Sequence, residues 1–173
     1  KAYKIKAEGD RVPEMLDCFT KTNKEYKLSP AFMEKIKRAG YLRPSPVQMQ
    51  AIPILFEKRD AIILAETGSG KSLAFIAPLI HLHPKGSGLK AIIVVPTRER
   101  AIQLYKEFLT FCSVGGKGKP EQAEGQARAS TARVKFLRKA LVPKTDEQVT
   151  AFCNNCEILI STPLKLAQLT AQF

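Results

Sequence analysis

The sequence has no apolar run approaching the ~20 residues that a membrane-crossing helix needs, so no membrane association is expected. Its basic start, Lys1-Ala2-Tyr3-Lys4-Ile5-Lys6, has no apolar stretch behind it and does not read as a secretory signal. A natural chain opens with Met, so residues before Lys1 are expected. No internal repeat is visible. Acidic residues are scarce: 16 Asp and Glu face 28 Lys and Arg, a net charge of +12. That imbalance suits a polyanionic partner, although a surface built for solubility would look the same. Cys18, Cys112, Cys153 and Cys156 lack framework spacing and secretory context, and read as reduced thiols inside a cell. Cys153-Asn154-Asn155-Cys156 has the spacing of half a zinc site or of a redox pair, and no second pair or nearby His completes the four ligands zinc needs. His81 and His83 read as surface or helix-end residues. What remains is a chain of 173 residues, 45% apolar and 25% charged, the proportions of a globular protein with room for one core.

Ser29-Pro30 has the form of a helix start, with Ser as N-cap and Pro in the first helical position. Ala31–Ala39 continues it with Phe32, Ile36 and Ala39 on one face, and Gly40 ends it. Ser45-Pro46 opens a second helix over Val47–Glu57, with Val47, Ala51, Ile54 and Leu55 inward and Pro53 as a point of bending or interruption. Four short apolar runs follow, at Ala61–Ala65, Ala91–Val95, Val134–Leu137 and Ile158–Ile160. Three of them adjoin helical stretches at Gly70–Leu82, Glu99–Cys112 and Leu164–Gln172. This alternation predicts an α/β fold, a parallel sheet with helices on both faces. Phe32, Phe75, Phe108 and Phe111 fall at helical core spacing, which favours packing. Residues 113–131 carry Gly115, Gly116, Gly118, Pro120 and Gly125 with almost no large apolar residue, and read as a mobile polar insertion. A second polar stretch, Pro143–Gln148, leads to a short helix near Val149–Phe152. The basic cluster Arg133, Lys135, Arg138 and Lys139 is as compatible with a solvated strand edge as with a nucleic-acid contact.

One loop carries explicit chemistry. Ala65-Glu66-Thr67-Gly68-Ser69-Gly70-Lys71-Ser72 matches the phosphate loop G-x-x-x-x-G-K-[ST], with Ala in place of the first Gly. Gly68 and Gly70 permit a tight turn whose N–H groups converge on phosphate oxygens. The helix beginning near Gly70 adds the positive end of its dipole. Lys71 supplies a full charge to the β- and γ-phosphates, and the Ser72 hydroxyl suits Mg²⁺, which prefers hard oxygen ligands. ATP and Mg²⁺ are therefore the expected cofactors, with Lys71 and Ser72 nearest the chemistry.

Upstream, Gly40-Tyr41-Leu42-Arg43-Pro44-Ser45-Pro46-Val47-Gln48 resembles the Q motif of DEAD-box RNA helicases. The resemblance implies that Gln48 reads the adenine edge, that Phe19 stacks on the ring, and that Tyr41 and Arg43 belong to the same subsite. An amide can pair donor and acceptor with adenine. Downstream, Pro96-Thr97-Arg98-Glu99-Arg100-Ala101 resembles the family's motif Ia, with Arg100 for Leu. Thr162-Pro163-Leu164-Lys165-Leu166 resembles motif Ib, with Leu164 for Gly and Lys165 for Arg. In the family both hold the RNA backbone, so Pro96, Thr97, Arg98, Glu99, Thr162, Pro163 and Lys165 are the RNA-binding candidates. Lys165 keeps charge but lacks the planar fork of Arg, and Leu164 can hold the backbone away from a phosphate. Lys4-Ile5-Lys6-Ala7-Glu8-Gly9, Val12-Pro13, Phe19 and Glu25-Tyr26-Lys27 are similar to the stretch before the Q motif in one subfamily, and the run Pro46–Pro53 and the strand within Arg133–Ala140 also resemble that subfamily. That subfamily acts on precursor ribosomal RNA of the small subunit. The family's Gly-Gly motif has no clear equivalent here.

The resemblance covers Gly40–Leu166 and implies a RecA-like phosphate-loop lobe over residues 29–173, preceded by an N-terminal extension, 1–28. It implies RNA, as a pre-ribosomal RNA, and a second RecA-like lobe as partners, a monomer, and a nuclear or nucleolar setting. No Asp-Glu-Ala-Asp appears, so the chain is expected to be a fragment that binds nucleotide and barely hydrolyses it. Loss of the second lobe's arginine finger alone costs a factor of ~10³ or more. Two other readings stay open: a different phosphate-loop enzyme such as a nucleotide kinase, and an RNA-binding scaffold without turnover.

Overall fold

The computed structural model describes residues 3–20, 30–82, 88–112, 134–136 and 145–171. Outside them lie the insertion 113–131, the start of the polar stretch at Pro143, Glu25-Tyr26-Lys27, Ser29, His83, Leu137, and the basic positions Arg133, Arg138 and Lys139. The chain divides into two compact units, Lys1–Leu82 and His83–Phe173.

In the first unit, helix α1 (Pro30–Arg38) ends at Gly40, whose φ of +85° suits a residue without Cβ. There Tyr41 N–H donates to Ile36 O at 3.1 Å and Gly40 N–H to Lys37 O at 3.0 Å, which satisfies the last carbonyls. Helix α2 (Pro46–Phe56) runs through Pro53 without interruption. Proline has no N–H, so the carbonyl of Met49 four residues back loses its helical partner. Leu16 N–H takes that carbonyl at 2.8 Å. Gln50 Nε2 donates to Pro13 O at 3.0 Å, and the Arg59 guanidinium donates to the carbonyls of Asp10 and Arg11. The N-terminal segment is thereby strapped along α2, with Leu16 and Phe19 buried. Helix α3 (Lys71–Leu82) buries Leu73, Ala74, Ile76 and Ala77 and packs on α2. His81 near its end meets the Phe56 ring edge-on, with centroids 5.4 Å apart.

Ala61–Ala65 is not a strand, contrary to the expectation from its apolar run. The segment joins no ladder among the described residues, and Ile62 and Leu64 are each 92% exposed. Apolar composition makes a strand only where a neighbour accepts and donates its backbone hydrogen bonds.

The second unit holds a three-stranded parallel sheet: β1 (Ala91–Val94), β2 (Val134–Phe136) and β3 (Ile158–Ser161), in the order β1-β3-β2. Ile158 pairs with both Ala91 and Val134, and Ile160 with Ile93 and Phe136. The central strand is buried along its whole length, as the continuous apolar run requires. Helix α4 (Arg98–Cys112) follows β1 and packs on β2 and β3 with Leu104 and Phe108 buried. Helix α5 (Asp146–Asn154) precedes β3, and α6 (Pro163–Thr170) follows it. Leu159 packs with Val149 of α5 and Leu169 of α6, while strand alternation turns Ile158 and Ile160 to the other face. Helix α5 is longer than the sequence suggested, because Thr145 caps it by accepting from Gln148 N–H. At the base of β3, Glu157 O accepts from Lys90 and Ala91 N–H, and its buried carboxylate lies 3.9 Å from Lys90 Nζ.

Candidate nucleotide and nucleic-acid sites

The loop from Ala65 to Ser72 turns on two glycines, Gly68 at φ +81° and Gly70 at φ +91°. Both values are left-handed conformations that a side chain strains. At Gly70 there is also no room. A Cβ there would stand 2.5 Å from Gln48 Nε2 and 3.0 Å from Ser45 Oγ. The close neighbour is held in place: Gln48, only 1% exposed, donates Nε2–H to Gly70 O at 3.0 Å. Its Oε1 accepts from Ser45 N–H at 3.0 Å, closing the first turn of α2. One amide therefore ties the Ser45-Pro46-Val47-Gln48 turn to the phosphate-loop backbone. In this conformation both ends of the amide are spent on the protein.

Lys71 behaves similarly. It is the first residue of α3, and its ammonium donates to the carbonyls of Ala65 and Glu66. The cation is thus folded back over the loop it would serve. Ser69 Oγ is buried and has no hydrogen-bond partner among the described residues, which is costly unless something polar comes to it. Glu66, Thr67 and Gly68 are exposed, and Ser72 sits half-buried in the first helical turn. The first N–H groups of α3 have no acceptors within the helix. Two positive-φ glycines, an orphaned hydroxyl, the Lys71 ammonium and a helix N-terminus are groups that would suit an anion, and they fit a nucleotide phosphate with Mg²⁺ on Ser72.

The adenine side is less assembled than the resemblance implies. Phe19 is 4% exposed and packed in the core. Tyr41 and Arg43 are exposed. A cavity of about 870 Å³ does open beside the loop, between the N-terminal strap, α2 and residues 59–66, and it reaches Glu66, Gly68 and Ser69. Phe19, Tyr41, Arg43 and Gln48 do not line it. Sequence reasoning missed this cavity because it placed a sheet strand at Ala61–Ala65. It also missed Gln50 and Arg59, which hold the strap; the proline-freed carbonyl of Met49 was the available signal.

In the second unit, β1 and β3 are parallel neighbours, with Val94 opposite Ser161. Their C-terminal ends therefore deliver Pro96-Thr97 and Thr162-Pro163 to one edge of the sheet, about one strand spacing of ~4.8 Å apart. Each leads into a helix N-terminus. Thr97 Oγ1 accepts from Arg100 N–H at 3.2 Å, so the hydroxyl caps α4 and keeps its own hydrogen for an acceptor. Pro96, Thr97, Arg98, Glu99 and Pro163 are exposed, and Thr162 is half-buried. Arg100 reaches forward along α4 to Glu107, at 3.9 Å. Lys165 Nζ donates to Gln168 Oε1 at 2.6 Å, and Leu164 is 68% exposed at the helix start. No His, Cys, Asp and Glu cluster that could hold a metal occurs among the described residues, and no described helix is long and apolar enough to cross a membrane.

A family model described as DEAD/DEAH box helicase matches residues 45–173. Among curated proteins, the chain is 34% identical over 169 residues to the probable ATP-dependent RNA helicase ddx52 of Dictyostelium discoideum, covering 96% of this chain and 23% of that protein. It is 33% identical over 172 residues to the probable ATP-dependent RNA helicase DDX52 of Rattus norvegicus, covering 98% and 26%. It is 31% identical over 169 residues to the ATP-dependent RNA helicase ROK1 of Lodderomyces elongisporus, covering 95% and 28%. The chain thus spans about a quarter of the length of these relatives. Among solved structures, a DEAD box protein from Methanococcus jannaschii superposes with a TM-score of 0.66 at 26% identity, over 92% of this chain and 39% of that one. The ADP-bound RNA helicase Prp28 of Chaetomium thermophilum gives 0.62 at 28%, over 95% and 37%. Both likenesses carry the RecA-like fold.

Proposed function

This chain belongs to the DEAD/DEAH box helicase family, and from that premise we propose that it is the ATP-binding lobe of an ATP-dependent RNA helicase. The observation that carries the reading is the Gln48 amide bonded to Gly70 O. It joins the residue suited to recognise a base to the loop suited to hold phosphates. Lys71 leaves the carbonyls of Ala65 and Glu66 to meet the β- and γ-phosphates, and the first N–H groups of α3 receive the same anion. Ala65, Glu66, Thr67, Gly68, Ser69 and Gly70 form the wall of the site, and Ser72 presents its hydroxyl to Mg²⁺. Bound ATP supplies the free energy of phosphoanhydride cleavage. Gln48 selects adenine, with Phe19, Tyr41 and Arg43 on the same side, and this requires the Gln48 amide to exchange at least one of its present partners. Thr97, Arg98, Thr162 and Lys165, with Pro96, Glu99 and Pro163 setting the turns, contact phosphates of one RNA strand. A second RecA-like lobe closing on this one completes the site.

The finer reading places the protein on precursor ribosomal RNA of the small subunit, in the nucleolus, as a monomer. Its support is the stretch Lys4–Gly9, Val12-Pro13 and Phe19, together with relatives named ddx52 and ROK1. Calorimetric titration of ATP and GTP into the protein and into Gln48→Ala tests the core of the proposal. The expected result is a preference for ATP that the substitution removes. Equal affinity for both nucleotides in the unaltered protein would point to another kind of phosphate-loop enzyme.

A further inference from the structure

Cys153 and Cys156 have no part in that reading, and their geometry is specific. Cys153 lies in the last turn of α5 (Asp146–Asn154). Beyond it the backbone folds back on itself: Asn155 N–H donates to Ala151 O and Phe152 O, both at 3.2 Å, and Cys156 N–H donates to Cys153 O at 3.1 Å. A turn closed by such a bond holds its first and fourth Cα atoms within about 7 Å. A disulfide spans Cα atoms about 4.4–6.8 Å apart. Both side chains meet the same apolar cluster, which Val149, Leu159 and Leu169 complete. They differ in access: Cys153 is half-buried, and Cys156 is 0% exposed. Cys156 Sγ donates to Ile158 O at 3.3 Å, a weak bond. Neither sulfur is engaged in a disulfide. Among the described residues no third and fourth ligand turns the pair into a metal site.

We propose that Cys153 and Cys156 form a reversible intramolecular disulfide, with a peroxide as the oxidant and Cys153 as the thiol it meets first. The Cys153 thiolate attacks one peroxide oxygen. An S–O bond forms, the O–O bond breaks, and hydroxide leaves to become water on taking a proton. The Cys156 sulfur, turning from Ile158 O, attacks the sulfenic sulfur of Cys153. The S–S bond forms, the S–O bond breaks, and a second water leaves. The two thiols give up two electrons and two protons, and one peroxide becomes two waters. Burial of Cys156 is no obstacle, because the second step needs only its neighbour. The bridge forms at the foot of β3, beside Glu157, whose carbonyl starts the β1–β3 ladder through Lys90 and Ala91.

The test is peroxide treatment of the purified protein, alkylation of the remaining thiols, and peptide mass spectrometry. The expected product is a Cys153–Cys156 bridge in most chains, lighter by two hydrogens and returned to two alkylatable thiols by dithiothreitol. In Cys156→Ser the same treatment should leave Cys153 as a sulfenic acid captured by dimedone, with the bridge lost entirely. Cys153→Ser should leave Cys156 reduced. Pairing of either residue with Cys18 or Cys112, direct over-oxidation of Cys153 in the unaltered protein, or two thiols left unchanged would each overturn the proposal.

Discussion

In the first unit the charged and polar donors of the phosphate loop turn inward: Lys71 onto the carbonyls of Ala65 and Glu66, Gln48 onto Gly70. In the second unit Thr97 and Arg98 stand exposed at the sheet edge, where α4 begins. The first arrangement must exchange partners before it can take a ligand. The second needs only a ligand of the right charge. A loop of the first kind discriminates, because a wrong occupant fails to repay the bonds it displaces. An edge of the second kind attaches, with an affinity set by phosphate count and salt.

The contrast can be broken at its strongest point first. Lys71→Ala removes the cation that folds over the loop, and charge-assisted bonds are worth about 1.5–3 kcal/mol each. ATP affinity should fall about 100-fold or more in a titration, and an unchanged affinity would end the assignment of the loop. Next, Gly70→Ala adds a Cβ 2.5 Å from Gln48 Nε2 at a φ of +91°. It should cost about 1–3 kcal/mol of stability, read as a lowered Tm; a Tm equal to that of the unaltered protein would mean that the turn relaxes freely. Gln48→Ala should weaken ATP by about tenfold, near 1.4 kcal/mol, and leave GTP almost untouched. Parallel losses for both nucleotides would assign Gln48 to holding the loop and not to reading the base. Arg98→Ala should reduce RNA affinity of the intact protein severalfold, about 1 kcal/mol, and flatten its salt dependence by about one unit of slope, while ATP binding stays put. If RNA binding is indifferent to this change, the strand-end turn is only a helix start. The smallest effect is expected at Leu164→Gly. Removing an exposed side chain from the first turn of α6 should raise RNA affinity about twofold in a filter-binding assay, against a helix cost of up to about 1 kcal/mol. A loss of affinity instead would show that Leu164 itself touches RNA.

Local signals were readable and the partners they find were not. Ser45-Pro46 opens a helix and Gly40 closes one because caps and φ preferences act within a few residues. Gly-Ser-Gly-Lys-Ser marks a tight turn for the same reason, and Gly68 and Gly70 take the positive φ it calls for. Thr145 followed by Asp146 and Glu147 was an equally local signal for the start of α5, passed over because the stretch is polar. That Gln48 would bond Gly70, 22 positions away, or Gln50 the carbonyl of Pro13, 37 away, lies beyond any short-range pattern. The run at Ala61–Ala65 shows the opposite failure. Its residues have every preference for a strand, but a strand is a relation between two segments, and preference cannot supply the second.

A proline in the middle of a helix is usually reckoned as damage, yet Pro53 leaves Met49 a carbonyl that Leu16, in the chain before the first helix, takes up. The polypeptide ahead of residue 20 is for that reason cladding, not an appendage. Trimming the protein back to Ser29, as motif boundaries alone would recommend, would strip Leu16 from that carbonyl and Phe19 from its packing. A shortened version would then be expected to clump or to lose nucleotide affinity with residues 40–48 and 65–72 still in place.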